Sequence, residues 1–204
     1  MINKKNNNLV LNFDKINESL IVAAYEGNFE KLKFILDKNS EFIDNIDINT
    51  TNDYGLTPLL ISCLVGHTRI VDYLLNSKEL KTRANPFHLT NNDRNILMLT
   101  ITRKDNVELL NWLLNIPEIN ENISLYDKDK DGNNLLLIAA KLGHYKTLDY
   151  LFLEKEMIVD SAAYAYIEKN LASDYLYKIK QVDLKRNLNN SLMDKNDINK
   201  PRKI

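Results

Sequence analysis

Asp53-Tyr54-Gly55-Leu56-Thr57-Pro58-Leu59-Leu60-Ile61-Ser62-Cys63-Leu64-Val65-Gly66-His67 decides how this chain folds. Thr57 suits a helix start, because its hydroxyl can accept an orphan N–H of the first turn. Pro58 follows where a missing N–H costs nothing. Gly66 closes the helix as the residue that readily takes positive φ. Beyond it, Ile70, Val71, Leu74 and Leu75 line one face of a second helix over 69–75. The stretch therefore reads as a turn followed by a short helical hairpin.

The same pattern returns along the chain. Tyr25-Glu26-Gly27-Asn28, Val65-Gly66-His67, Lys104-Asp105-Asn106 and Leu142-Gly143-His144 recur at steps of 39, 39 and 38 residues. A fixed period of this length means stacked supersecondary units in place of one globular core. The first helices are predicted at 18–25, 57–65, 96–104 and 134–142, and the second at 29–36, 69–75, 107–114 and 145–153. Ser62-Cys63 aligns with Ala23-Ala24 and Ala139-Ala140, small residues that let helices approach. The third unit places Ile101-Thr102 there, so looser packing is predicted. Phe34, Tyr73, Trp112 and Tyr150 share one register and read as a core row between units. An aromatic ladder for stacking bases or a ligand is the alternative.

Asp53-Tyr54-Gly55-Leu56-Thr57-Pro58-Leu59 with Gly66-His67 and Ile70-Val71-x-x-Leu74-Leu75 resembles the ankyrin repeat. Asp131-Gly132-Asn133-Asn134-Leu135 through Ala139-Ala140 and Gly143-His144 is similar to it. The resemblance covers roughly residues 13–154. It implies an all-α solenoid of stacked helix-turn-helix units, with turn or β-hairpin fingers, that binds another protein. Each unit is some five or six residues longer than the usual period of about 33. The third unit has Arg94 and Asp105 where the motif expects glycine.

The expected organisation is a flexible terminus at 1–12, repeats at 13–51, 52–90, 91–128 and 129–157, a C-terminal capping segment at 158–182 and a disordered basic tail at 183–204. The extra residues fall at 39–52, 77–92 and 115–130. Within them, 43–48 alternates enough for a short extended piece, and Phe87 offers an exposed aromatic. Around 161–180, Tyr164, Ile167, Leu171 and Tyr175 recur at helical spacing, with a break available at Asn170. This segment reads as a closing helix or a degenerate fifth unit, with a Tyr-rich partner-binding helix as the alternative.

Composition narrows the function classes. The 204 residues are 44% hydrophobic and 27% charged with net charge −1, so no global field favours nucleic acid or an anionic membrane. A single cysteine, Cys63, allows no internal disulfide and fits a reducing compartment. No run approaches the ~18 apolar residues of a membrane span. A cytoplasmic monomer is expected. Richness in Asn, Lys and Ile also suits an effector of an intracellular microbe, delivered into a host cytosol.

Asp127-x-Asp129-x-Asp131-Gly132 opens like an EF-hand loop, but its twelfth position is Ile138 where a bidentate Glu is needed. His67 and His144 recur as part of the repeat, and with His88 they show no metal-ligand spacing. No phosphate-binding, zinc-protease or nucleophile-elbow motif is present. Neither cofactor nor metal is expected, and the chain reads as non-enzymatic. An enzyme or enzyme regulator, with its site in the inserts or the Tyr-rich helix, is the second reading.

In ankyrin-like stacks, partners touch the turn tips and the exposed face of the first helices. Carried over, the tips are Asp53, Tyr54 and Leu56; Asn92, Asp93 and Asn95; Lys130, Asp131 and Asn133. The helix-end positions are Tyr25 and Glu26, Leu64 and Val65, Arg103 and Lys104, Lys141 and Leu142. Side by side they give an apolar centre (Tyr25, Tyr54, Leu56, Leu64, Val65) with a basic edge (Arg103, Lys104, Lys141), which fits an apolar partner segment with acidic neighbours.

Overall fold

The computed structural model describes residues 3–37, 43–171 and 173–198, with side chains from 13 to 188 within them. Unit one is α1 (Asn3–Glu26) and α2 (Phe29–Ile35); unit two is α3 (Pro58–Val65) and α4 (Thr68–Asn76). Unit three is α5 (Ile96–Thr100) and α6 (Val107–Leu114), followed by α7 (Pro117–Asn122) in the next insert. Unit four is α8 (Leu135–Leu142) and α9 (Tyr145–Asp149), prolonged by a π-helical turn at Tyr150–Glu154. A last hairpin, α10 (Ser161–Asn170) and α11 (Ser173–Ile198), ends the order. Among the described residues there is no strand.

The first helices form a column. α1 packs on α3, α3 on α5, α5 on α8 and α8 on α10, while α2, α4, α6 and α9 each pack beside their own first helix. The chain is an all-α solenoid whose core runs along the stack. Leu20, Leu59, Leu60, Leu74, Ile96, Leu97 and Leu151 are all essentially inaccessible. Each such side chain contributes about 1.5–3 kcal/mol relative to exposure.

Local signals set each hairpin. Thr57, Asn95 and Asn134 accept the N–H of Leu60, Met98 and Leu137 in α3, α5 and α8. Asn28 and Asn106 do the same for Lys31 and Leu109 in α2 and α6. Gly27, Gly66 and Gly143 take φ of 71°, 89° and 67° between the two helices. At Gly27 the space is also taken, since a Cβ would lie 2.5 Å from the His67 ring. That ring bridges units one and two, with Nε2 3.1 Å from the Tyr25 carbonyl.

Unit three departs from this scheme, and its register differs from the one expected. The residue with positive φ in its turn is Asp93 (56°), not Arg94. Asn95 stands where Thr57 does, so the pair matching Ser62-Cys63 is Thr100-Ile101, not Ile101-Thr102. Both Thr100 and Ile101 are buried, and the Thr100 hydroxyl donates to the Ile96 carbonyl as Ser62 donates to that of Pro58. One extra residue therefore lies between the Asn95 and Asn106 caps. It lets α5 end early, and the turn dispenses with a left-handed glycine.

Other expectations also change. α1 reaches back to Asn3 through residues expected to be flexible, and α11 runs to Ile198 through most of the expected disordered tail. The stretch 183–198 lacks Gly and Pro, so no strong helix breaker stops α11 there. The rest of that expected tail, 199–204, lies outside the described residues. Residues Ile43–Asn45 form a 3₁₀ turn in place of an extended piece, because the Ile46 N–H bonds the Ile43 carbonyl. Phe87 is half-buried against the core.

Phe34 is 82% exposed and leaves the aromatic row incomplete. Tyr73 leans back on Phe29 of unit one at 5.2 Å, and the Tyr150 hydroxyl donates to Asn111 of unit three at 2.8 Å. Tyr73 and Tyr150 thus pack against the preceding unit, and Phe34 has none among the described residues.

At the other end, Asp160 caps α10 through the Ala163 N–H and accepts from the Asn134 amide, so α10 takes the next place in the column without a finger of its own. Tyr175 of α11 donates to Asp149 at 3.1 Å and packs edge-on against Tyr145. Burial, then the Asp149 charge, push the Tyr175 hydroxyl well above its usual range. Arg186 lies over the Phe152 ring and donates to the Phe152 carbonyl.

Candidate partner-binding face

Three fingers project from the column and share one construction. Asn52 Oδ1 accepts the N–H of Tyr54 and Leu56, Thr90 Oγ1 accepts those of Asn92 and Arg94, and Asp129 Oδ1 accepts those of Asp131 and Asn133. Each finger closes on itself, with N–H of Asn52, Thr90 and Asp129 bonding the carbonyl of Leu56, Arg94 and Asn133. One backbone bond then joins each finger to the next: Asn91 N–H to the Tyr54 carbonyl, and Lys130 N–H to that of Asn92. The fingers therefore stand as a ladder, and their exposed side chains keep a fixed spacing.

Between fingers one and two opens a cleft of about 220 Å³, lined by Tyr54, Leu56, Leu64, Asn92, Leu99 and Thr102 with Thr90, Asn91 and Arg94. Four residues nominated from the sequence meet here: Tyr54, Leu56, Leu64 and Asn92. Tyr54 is 73% exposed, so its ring is available to a partner. Arg94 and Thr102 were missed because they follow the register shift of unit three, and Leu99 because it lies on a helix position that was not nominated in any unit. Counting from the Asn95 cap as from Thr57 would have placed Thr102 opposite Leu64.

Arg94 is held in the wall by its Nε, which donates to Asp129 at 3.1 Å. Burial raises the Asp129 carboxyl, but hydrogen bonds from Asn133 and then Arg94 outweigh it and leave the group below its ordinary value. This also explains the calcium-like motif. Asp129 is spent on its own finger and Arg94, while Asp127 accepts from the Ser124 N–H and the Asn95 amide. Ile138 is buried in α8. Among the described residues no group of three His, Cys, Asp or Glu side chains could hold a metal ion.

The remaining nominated residues divide. Asn95 and Asn133 are buried, at 3% and 4% exposure, and serve as a cap and a finger brace, not as tips. Asp53, Asn92, Asp93, Lys130 and Asp131 are exposed on the fingers, with Lys130 Nζ donating to the Asn91 carbonyl at 2.6 Å. Glu26 and Lys104 are exposed. Leu142 is 43% exposed, while Val65 is half-buried against the core. Lys141 is tied to Asn133 at 2.6 Å, which draws it toward the third finger. Arg103 reaches across two units to place its guanidinium 5.4 Å from the centre of the Tyr25 ring. The basic edge and the apolar centre thus meet at Tyr25.

Cys63 is fully buried, and burial pushes its thiol up to about 12 despite a hydrogen bond with Thr100. No helix among the described residues is long and apolar enough to cross a membrane.

A column of helical hairpins with laddered fingers and an open face defines a helical repeat protein. The family model for ankyrin repeats (three copies) matches residues 2–86 and 20–123, and the chain belongs to the ankyrin-repeat family. Ankyrin repeats are generally protein–protein interaction modules. The matched segments stop before unit four, which nevertheless repeats the cap, the left-handed glycine and the finger of unit two. No curated protein matches the chain.

Proposed function

We propose that this chain is a non-enzymatic protein-interaction module that docks one partner on the open face, between the finger tips and the ends of the first helices. The observation that carries the reading is the cleft between fingers one and two, where Tyr54, Leu56, Leu64 and Leu99 surround space for one apolar side chain. Such a cup, ringed by polar finger residues, is the usual form of an interface anchor. Arg103 and Lys104 follow Thr102 of its lining in the chain, which favours a partner segment with acidic neighbours around its apolar anchor. The protein acts as a monomer in the cytoplasm, where a lone buried cysteine needs no oxidising environment; delivery into a host cytosol rests on composition alone.

Affinity capture with the wild type and with Leu64→Asp plus Arg103→Glu tests this reading. The double variant is expected to lose the partner at unchanged helical content by circular dichroism. Equal recovery by both proteins would reject the open face as the binding surface.

A further inference from the structure

We infer that α1 and the first finger form a second subsite, which takes an aliphatic side chain flanked by a cation from the same partner segment. The inference rests on the protein-binding reading above and names the chemistry of that partner.

On α1, Asp14, Glu18, Ile21, Val22 and Tyr25 recur at three- and four-residue spacing and so share one face. Ile21 and Val22 line an open groove of about 480 Å³ against residues 50–53 of the insert and first finger. Val22 remains 43% exposed there. The groove is a built feature, because Asn17 Oδ1 accepts the N–H of Asp47 and pins the insert to α1.

Its charge has one sign. Asp14 and Glu18 enter from α1 and Asp53 from the finger, and the lining contains no Lys or Arg. Among the described residues none of these three carboxylates takes part in an ion pair. Further along the same face the sign reverses at Arg103, which lies over Tyr25. Arg103 and Lys104 are likewise outside every ion pair described. A segment laid along this face from Asp14 toward Tyr25 meets carboxylates, then aliphatic carbon, then cations. The complement is a cation, an aliphatic side chain and an anion in that order, and the two charged ends fix the direction in which it binds.

A library of random twelve-residue peptides displayed against the full chain tests this. On the wild type, selected peptides are expected to place Lys or Arg next to Ile, Leu or Val, with Asp or Glu on the far side. A synthetic copy of the leading peptide should bind Asp14→Lys plus Glu18→Lys about tenfold more weakly or worse, with binding that weakens as salt rises. Asp53→Lys, on the finger, gives the same result by a route that leaves α1 intact. Binders that are lost on Leu64→Asp yet show no preference for cations, or that hold both charge-reversed variants undiminished, overturn this inference alone. A selection that yields no binder to the wild type overturns it together with the reading on which it rests.

Discussion

Replacing Asp105 with Ala should destabilise the fourth unit far more than a half-exposed turn residue normally would. His144, the residue before α9, makes no capping bond with its side chain. Asp105 of unit three supplies the cap: Oδ2 accepts the Lys146 N–H at 3.0 Å, and Oδ1 accepts both the Thr147 N–H at 2.9 Å and the Thr147 hydroxyl at 2.6 Å. Losing an N-cap costs about 1 kcal/mol. Thr147 is inaccessible to water, and stranding its hydroxyl adds about 1–3 kcal/mol. The sum is about 2–4 kcal/mol. With a urea slope of about 2 kcal/mol per molar, the midpoint should fall by about 1–2 M at unchanged slope. Asp105→Asn keeps an acceptor but loses the charge and should cost about 1 kcal/mol. Combining Asp105→Ala with Thr147→Val in a double-mutant cycle should return much of the loss, because no buried hydroxyl is then left unpaired. A midpoint for Asp105→Ala within about 0.3 M of wild type would refute the cap between units.

Gly27→Ala should cost about 1 kcal/mol more than Gly143→Ala by urea denaturation: both positions have positive φ, but only at Gly27 does a Cβ strike a neighbour, the His67 ring. Asp93→Gly should stabilise by about 0.5–1 kcal/mol, because it relieves a left-handed non-glycine residue whose carboxylate has only an exposed contact with Lys130. Asp129 and Asp105 both titrate below their ordinary value in the fold, so the unfolded chain binds protons first as pH falls. Their stabilisation is complete above about pH 5 and disappears as acid carries pH below about 4 and through the folded values; Asp129→Asn should flatten that slope in urea midpoints measured from pH 6 to 3.

Much of this fold was legible because each unit carries its own punctuation. Thr57-Pro58 and Gly66 mark the ends of α3, and Gly27 and Gly143 mark the same turn elsewhere. The register of unit three was not, because Asp105 occupies the place of the motif glycine while an extra residue removes the need for one. The cap residues carried the missing signal: Asn95-Ile96-Leu97-Met98 and Asn134-Leu135-Leu136-Leu137 are the same N-terminus. The exposed finger residues Asp53, Tyr54, Lys130 and Asp131 could be read from the repeat. The buried roles of Asn95 and Asn133 could not, since a polar side chain inside a finger is visible only through the backbone N–H groups it satisfies. Helix α7 escaped for a simpler reason: Pro117 starts it inside an insert with no repeat counterpart. The groove at α1 depends on the insert folding back to Asn17, a contact 30 residues distant that no local pattern encodes.

The most direct measurement is hydrogen exchange of the full chain with and without a bound partner peptide from the display selection. Residues 21–26, 53–56, 64–65 and 99–104 should slow together on binding, while α2, α4 and α6 on the opposite side keep their rates. Protection confined to those second helices, or to α10 and α11, would contradict an interface on the open face.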